Sequence, residues 1–377
     1  MLERPEFTIG IEEEYLVVDR ETRDLIKNPP SAMWDSLREV LGPQVTPEFL
    51  KAQIEVGTKV CQKVSEARAD LAAMRRELST VVTEYGGAII ASSTHPFANW
   101  SEQETTEQPR YLRLAADYQQ VARQLVICGM HIHVGIGDPH LRIDLMNQMR
   151  YMLPHLLALS TSSPFWAGTD TGLLAYRLVI FKNLPRTGVP EEFLSWGEYE
   201  RMLDIMISAG LLEDATKLWW DIRPSARYPT LEMRVSDVCT RLDDAMTVAA
   251  LYLCLLGYLF RLRKLNQRWR AYSSLLISEN MWRAQRYGVE GSLVDFGRGE
   301  LVPYADLVEE FIDVLAEVAD EFDVTDELLH AREIVKNGTS AHRQRATYQR
   351  ALAGGATEEE ALKEVVDYLI DDTLFGI

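Results

Sequence analysis

Phe7-Thr-Ile-Gly-Ile-Glu-Glu-Glu-Tyr-Leu-Val-Val-Asp19 is an apolar segment with three consecutive acids at its centre. Its Ile, Leu and Val residues favour a β-strand, so we predict a strand here. Side chains alternate between the two faces of a strand, which places Glu12 and Glu14 on one face and Glu13 on the other. Carboxylates on one face repel each other, and a hard cation such as Mg²⁺, which prefers carboxylate oxygen, would remove that repulsion.

Three further segments repeat this alternation of apolar and polar residues. Each has one apolar face and one face of groups that bind metals or anions. The segments are 52–57 with Gln53 and Glu55 on the polar face, 128–136 with His131 and His133, and 229–237 with Glu232 and Arg234. One such strand would be explained by a solvated sheet face, but four with related chemistry predict a shared active site.

Several blocks of the chain resemble the carboxylate–amine ligases of the glutamate–cysteine ligase type 2 group. In chain order they are Gly10-Ile-Glu-Glu-Glu-Tyr15, Ser93-Thr-His-Pro-Phe97, Gly129-Met-His-Ile-His-Val-Gly135, Leu231-Glu-Met-Arg-Val235, Glu279-Asn-Met-Trp-Arg-Ala284 with Arg286-Tyr-Gly288, and Asn337-Gly-Thr339 with His342-Arg-Gln344. Together they cover most of the chain. The resemblance implies a glutamine-synthetase-like catalytic sheet, magnesium, ATP, and an amide bond made from a carboxylate and an amine. It does not fix the substrate.

Composition limits the partners. The 377 residues carry a net charge of −18, which argues against nucleic acid or an acidic membrane surface. An anionic substrate such as ATP would then need a local basic pocket and metal. The four cysteines show no CxxC spacing, and we expect reduced, buried thiols in a cytoplasmic protein.

The pattern of elements predicts an α+β fold, with a largely antiparallel sheet covered by helices on one face. Because the polar-faced strands lie between residues 7 and 237, we expect a single catalytic domain over residues 1–377, mostly helical from about residue 303. The apolar run 245–260 is shorter than the roughly 20 residues that span a bilayer. Acids precede it and arginines follow it, so we predict a buried core helix.

Four carboxylates on the shared face are predicted metal ligands: Glu12, Glu14, Glu55 and Glu232. His131 or His133 would supply a nitrogen ligand, as the matching family strand suggests. Magnesium usually prefers oxygen, so a histidine ligand would also suit Mn²⁺.

Arginines are the expected partners of phosphate and of a substrate carboxylate, since the guanidinium binds both in bidentate fashion. Arg234 and Arg177 are the predicted catalytic residues. Arg177 lies in a strand-like apolar run, 174–181. The predicted substrate- or nucleotide-binding residues are Arg223 and Arg227 in a loop before the Glu232 strand, His95, Arg283 and Arg343. Each has a structural alternative: a salt bridge for the loop arginines, a solvated helix face for Arg283 and Arg343, and a loop cap for His95.

Three functions remain open from the sequence. The first is an ATP- and magnesium-dependent carboxylate–amine ligase that works through an acyl phosphate. The second is a metal-dependent amide hydrolase on the same scaffold, because two histidines with carboxylates also suit zinc and activate water. The third is a non-catalytic protein with the same fold. The chain has no GxxxxGK[ST] or GxGxxG motif, so ATP would be held by metals and arginines. We expect a homodimer or a higher homo-oligomer.

Overall fold

The fold is built on a mixed set of strands and helices, and the computed structural model describes residues 4–377. The strands are β1 (Ile9–Asp19), β2 (Val45–Pro47), β3 (Gln53–Gly57), β4 (Gly87–Ile90), β5 (Met130–Gly135), β6 (Phe165–Trp166), β7 (Thr169–Asp170), β8 (Thr187–Gly188), β9 (Trp219–Trp220), β10 (Ile222–Pro224), β11 (Thr230–Met233), β12 (Ser292–Asp295) and β13 (Glu300–Pro303). The helices are α1 (Ser31–Leu41), α2 (Val64–Glu84), α3 (Pro109–Tyr118), α4 (Gln120–Arg123), α5 (Pro139–Met149), α6 (Leu153–Ser160), α7 (Arg177–Phe181), α8 (Trp196–Ser208), α9 (Leu242–Lys264), α10 (Ser274–Tyr287), α11 (Tyr304–Phe322), α12 (Thr325–Leu329), α13 (Ala331–Asn337), α14 (Ser340–Ala353) and α15 (Glu358–Thr373).

The main sheet has seven strands in the order β10-β11-β5-β1-β3-β2, with β4 also beside β1. All of its pairs are antiparallel. The 11-residue β1 is its centre. One edge of β1 pairs with β3, and the other pairs first with β5 and then with β4. The predicted α+β fold with an antiparallel sheet is confirmed, and all four polar-faced segments contribute strands to this one sheet.

Helices cover the face of the sheet that carries Glu13. Glu13 is fully buried and pairs with Arg75 of α2, whose Nη2 lies 2.7 Å from Glu13 Oε1. Arg75 also donates to the carbonyls of Cys239 and Thr240, so this ion pair joins three parts of the core. The predicted separation of Glu13 from its two neighbours is therefore confirmed.

The apolar run 245–260 forms most of α9. This helix is long and apolar enough to cross a membrane, but 83% of its most apolar window is buried inside the protein. The hydroxyl of Tyr252 donates to the carbonyl of Leu231, so α9 packs directly behind β11. The prediction of a buried core helix is confirmed.

Capping residues fix several helix starts. Asp138 accepts hydrogen bonds from His140 N and Leu141 N at the start of α5, and Thr357 with Glu360 forms a capping box at the start of α15. Helix α8 begins at Trp196, because Ser195 caps it.

The strand predicted around Arg177 is wrong. Residues Arg177–Phe181 form the short helix α7, and the backbone N–H of Arg177 donates to Ser163 Oγ. Short apolar runs do not distinguish strand from helix by periodicity, and β-branched composition favoured the wrong choice here.

Candidate active site

The polar face of the sheet brings the predicted side chains together in rows across neighbouring strands. Arg223 of β10 lies opposite Glu232 of β11, and Glu232 lies opposite His133 of β5. In the next row His131 lies opposite Glu12 of β1. A third row places Glu14 opposite Glu55 of β3. The register of the antiparallel pairs, together with alternation along each strand, therefore assembles the site.

These rows form the floor of an open cleft with a cavity of about 380 Å³. The predicted residues that line it are Glu12, Glu14, Glu55, His131, His133, Arg177, Arg223, Arg227, Glu232 and Arg234. Apolar and aromatic side chains form part of the wall, among them Tyr111, Phe181 and Trp219.

Glu12, His131 and Glu232 form one cluster of possible metal ligands, with one donor atom from each within 4.8 Å of the others. Glu12 Oε2 lies 3.1 Å from His131 Nδ1, and its Oε1 lies 3.5 Å from His133 Nε2. Burial opposes ionisation of Glu12, but hydrogen bonds with the two histidines outweigh it and hold its pKa well below its usual range. Burial and the nearby charge of Arg234 lower the pKa of His131 to about 4. His131 is therefore neutral near pH 7, the form that binds metals.

Glu14, Glu48 and Glu55 form a second cluster, again with one oxygen from each within 4.8 Å of the others. Burial and the charge of Glu48 raise the pKa of Glu14 to about 7. Burial and the charges of Glu48 and Glu12 raise the pKa of Glu55 well above its usual range. Without a cation, this cluster therefore retains protons near neutral pH.

Glu232 is almost fully buried and is held by two arginines. Arg223 donates to it in bidentate fashion, with Nε 2.9 Å from Oε2 and Nη2 3.0 Å from Oε1. Arg234 donates to Oε1 from the other side. Burial opposes ionisation of Glu232, but the charges of Arg234 and Arg223 outweigh it, so its pKa lies well below its usual range. Glu232 is thus a fixed carboxylate between two cations.

A sequence model described as glutamate-cysteine ligase family 2 matches residues 8–367. The chain belongs to this family. A relative from Rhodospirillum rubrum is 58% identical over 99% of this chain and 97% of its own length, and its provisional name is glutamate–cysteine ligase 2. A relative from Paracoccus denitrificans with the same provisional name is 46% identical over 99% of each chain.

Solved structures with a similar fold include two ligases. A glutamate–cysteine ligase of Francisella tularensis in complex with AMP has a TM-score of 0.67 at 14% identity and covers 99% of this chain and 90% of its own. A bifunctional glutathione synthetase of Pasteurella multocida has a TM-score of 0.65 at 14% identity and covers 97% of this chain and 52% of its own. At this identity these two structures show only that the fold is shared. The sheet described above is therefore the sheet of a member of the glutamate–cysteine ligase family 2.

Arg177 lines the cleft, but its guanidinium is committed to the backbone. Nη1 donates to the carbonyls of Arg234 at 3.3 Å and Ser236 at 3.1 Å. Gly129 leaves the space for it, because a Cβ there would lie 2.2 Å from Arg177 Nη2. Arg177 therefore holds the backbone just after β11 in place, and its guanidinium is not free to bind a ligand.

Three predicted binding residues lie outside the cleft. His95 is buried; Phe97 N and Ala98 N donate to its Nδ1, and its Nε2 lies 2.8 Å from the carbonyl of Arg23. The structure thus favours the loop-cap alternative for this residue. Arg283 donates to the carbonyl of Ser292.

Arg343 is similarly engaged away from the cleft, with Nη2 2.9 Å from Asp244 Oδ2 and Nη1 2.7 Å from the carbonyl of Gly338. Arg283 and Arg343 therefore belong to family blocks that stabilise the helical part of the fold. The resemblance to the family marked arginines of both kinds, and it did not separate those that stabilise the fold from those on the sheet face.

Sequence reasoning missed several cleft residues, above all Glu48. Glu48 follows the three-residue strand β2 and lies in a loop, where no alternation of apolar and polar residues marks it. Arg110 and Tyr111 begin α3 and reach the cleft wall. Arg223 was expected in a loop, but it stands on β10, while Arg227 lies in the turn between β10 and β11.

Proposed function

We propose that this chain is an ATP- and magnesium-dependent carboxylate–amine ligase that forms an amide through an acyl phosphate, as a glutamate–cysteine ligase does. Family membership supports a ligase that forms C–N bonds. The AMP bound to the Francisella tularensis ligase of the same fold supports ATP as the co-substrate. We further propose that the enzyme is cytoplasmic and forms a homodimer or a higher homo-oligomer.

The observation that carries the proposal is the pair of acidic clusters on one sheet face with Arg234 within electrostatic reach of both. The charge of Arg234 lowers the pKa of Glu232 in the first cluster and acts in the same direction on Glu14 in the second. Transfer of a phosphoryl group needs cations at both ends of the transferring group, and this face supplies the ligands for them.

The donor sets fit divalent cations. Glu14, Glu48 and Glu55 offer oxygen alone, which suits Mg²⁺. A bound cation would also offset the repulsion from neighbouring carboxylates that helps to raise the pKa of Glu55. Glu12, His131 and Glu232 offer oxygen and nitrogen, which suits Mg²⁺ less well and Mn²⁺ better. The cation, when bound, neutralises phosphate charge and so makes the terminal phosphorus easier to attack.

The protein's own groups position the reactants. Arg223 fixes Glu232, and Glu232 fixes one edge of the Arg234 guanidinium. Nη2 of Arg234 makes no hydrogen bond among residues 4–377, so this arginine keeps a donor for an oxygen of the substrate in the cleft. Arg227, at the rim of the cleft, adds a second positive charge for a carboxylate or phosphate.

The chemistry balances without a protein nucleophile. A carboxylate oxygen of the substrate attacks the γ-phosphorus of ATP, the bond from that phosphorus to the β-phosphate oxygen breaks, and ADP leaves. The amine then attacks the carbonyl carbon, loses a proton and expels phosphate, which gives the amide. The cleft therefore has to align the reactants and stabilise charge, and its fixed arginines and carboxylates are suited to both tasks.

The hydrolase is the second candidate, because the mixed donor set of Glu12, His131 and Glu232 also suits zinc and an activated water. The all-oxygen cluster beside it has no role in a one-metal hydrolase. We therefore rank the ligase first.

The test is incubation with Mg²⁺-ATP, glutamate and a panel of amines, followed by measurement of ADP and of product mass. We expect equal amounts of ADP and amide with one class of amine. Glu55→Gln should abolish both, while the control Glu77→Gln, an exposed residue of α2, should not. Amide cleavage by zinc- or manganese-loaded protein without ATP, with no ADP formed in the ligase assay, would establish the hydrolase instead.

A further inference from the structure

A second cavity, also of about 380 Å³, lies on the helical part of the molecule. It is lined by Leu174, Arg286, Tyr287, Glu290, His342 and Arg345, and it shares no lining residue with the sheet cleft. The two cavities are therefore separate places on the molecule.

Hydrogen-bond donors around this cavity lack acceptors. The backbone N–H of Thr339 donates to His342 Nδ1, so the proton of the neutral imidazole is on Nε2. Nε2 is buried and has no hydrogen-bond partner among residues 4–377; Glu290 Oε1 lies 3.8 Å from it. Burial lowers the pKa of His342, which keeps the ring neutral near pH 7. The side chain of Glu290 is 76% exposed, so it can turn away from the imidazole.

Two arginines complete the set of donors. The guanidinium of Arg286 makes no hydrogen bond or ion pair within residues 4–377 and packs against the ring of Tyr287. Arg345 uses Nε and Nη2 on Asp170 and on the carbonyl of Leu173, which holds the guanidinium in place with Nη1 uncommitted. An anchored arginine loses less side-chain entropy when it binds a ligand.

The local backbone also fits closely around the imidazole. Gly338 has φ +76°, and a Cβ there would lie 2.6 Å from His342 Cβ. Gly288 has φ +51°, and a Cβ there would lie 2.7 Å from Leu174 Cδ1 and 3.3 Å from His342 Cε1. Two glycines at positive φ therefore let the backbone pass close to two lining residues, His342 and Leu174, in a conformation that L side chains rarely adopt.

We propose that this cavity binds a small molecule through an oxyanion group, a carboxylate or a phosphate, held by Arg286, Arg345 and the Nε2–H of His342. A planar guanidinium matches either group, and the one buried donor of the cavity without a partner in the described chain, Nε2–H of His342, favours a ligand that offers an acceptor. Glu290, at the mouth, is the one acid that lines the cavity, and it would accept a hydrogen bond from a cationic or hydroxyl group on the same molecule.

The test measures binding of two probes, inorganic phosphate and succinate, by isothermal titration of the full-length protein. Arg286→Gln removes the guanidinium that has no hydrogen-bond partner in the described part of the chain. It should raise the dissociation constant of the preferred probe by roughly ten- to a hundredfold, as expected for the loss of one charge-assisted hydrogen bond. Arg345→Gln gives a second variant. Arg350→Gln, with the same charge change on the same helix but outside the cavity, should bind like the unmodified protein.

Comparison between variants separates this cavity from the sheet cleft, which all of them retain. A preference for phosphate or for succinate identifies the type of oxyanion. The proposal fails if neither probe binds, or if Arg286→Gln and Arg345→Gln bind both probes as tightly as the unmodified protein. It also fails if Arg350→Gln loses as much affinity as they do. These outcomes are independent of the ligase assay, because the measurement contains no ATP or amine.

Discussion

Glu232 shows how single residues define the chemistry of this face. Arg223 holds it in bidentate fashion and Arg234 approaches from the other side, so one buried carboxylate fixes two guanidinium groups. Only Arg234 lies close to His131 as well, with Nη1 3.4 Å from His131 Nδ1. We therefore propose that the two arginines differ in role: Arg223 supports the carboxylate of Glu232, and Arg234 faces the reactants.

Arg234→Lys tests that difference. Lysine keeps the positive charge but loses the planar fork, so we expect kcat to fall by roughly a hundredfold or more, the size seen when one positioned donor is lost. The melting temperature should change little, because Arg223 still holds Glu232. Unchanged kcat together with a large loss of stability would mean that Arg234 only secures Glu232. Arg223→Lys is the comparison, and we expect it to lower the melting temperature more.

The second acidic cluster predicts how stability depends on pH in metal-free protein. The pKa of Glu14 rises from 4.5 to about 7, and that of Glu55 also rises. The folded state then retains protons that the unfolded state releases, so the free energy of unfolding should decrease as the pH rises from about 4.5 through about 7. We expect Glu55→Gln, which removes one titrating acid, to be more stable than the unmodified protein at pH 7.5 and to lose less stability between pH 5 and pH 7.5.

Urea unfolding at pH 5 and pH 7.5, with and without Mg²⁺, measures this effect. Magnesium should stabilise the unmodified protein at pH 7.5 and should stabilise Glu55→Gln much less, because a ligand of the folded state adds to its stability. Equal pH dependence in the two proteins would show that Glu55 is not part of a coupled acidic cluster.

Strands of this sheet were predictable where apolar and polar residues alternate regularly. Helices were predictable where a capping residue marks the first turn. Alternation placed Glu12, Glu14, Glu55, Glu232 and Arg234 on one face, because a one-residue shift in a strand reverses its faces. It gave no information on Glu48, which reaches the site from a loop. Apolar, β-branched composition misled at Arg177, whose neighbours suit a helix or a strand equally well. The structural arginines in helical blocks could not be recognised, since no pattern along the chain marks their partners, which are the carbonyl of Ser292 for Arg283 and the carboxylate of Asp244 for Arg343.

The opposite face of β1 gives a test at the level of elements. Arg75 links α2 to Glu13 of β1 and to the carbonyl of Thr373 at the end of α15, and both charged side chains are fully buried. Removal of one partner leaves a buried charge unpaired, so Arg75→Ala should lower the free energy of unfolding by about 3–5 kcal/mol. Arg76→Ala, at the exposed neighbouring position, should change it by less than about 0.5 kcal/mol. Similar values for the two variants in urea would contradict the role of the buried pair.

At the scale of the whole molecule, buried hydrogen bonds connect the C-terminal helices to the sheet. Ala91 N, just after β4, donates to Thr373 Oγ1 of α15 at 2.9 Å. The hydroxyl groups of Thr240 and Ser340 lie 2.5 Å apart, which joins the segment after β11 to α14. These contacts support our proposal that the chain, whose last part is helical from Tyr304 onward, forms a single catalytic domain.

We therefore predict one cooperative unfolding transition for the full chain. Thermal unfolding followed by far-ultraviolet circular dichroism and by tryptophan fluorescence should give the same midpoint, as expected for a two-state unit. A chain that ends at residue 303 should lose the fold of the sheet, because Arg75 and Ala91 would lose buried partners. Two separate transitions, or a folded truncated chain, would show that the helical part is an independent domain.

The proposed ligase activates a carboxylate by phosphoryl transfer on the acidic face of the sheet. The most direct measurement follows oxygen-18 from the carboxylate of the substrate during turnover with Mg²⁺-ATP and the amine. An acyl phosphate carries one carboxylate oxygen to the departing phosphate, so we predict one labelled oxygen in each inorganic phosphate, formed together with ADP and amide. Unlabelled phosphate, or label in AMP instead, would contradict the account.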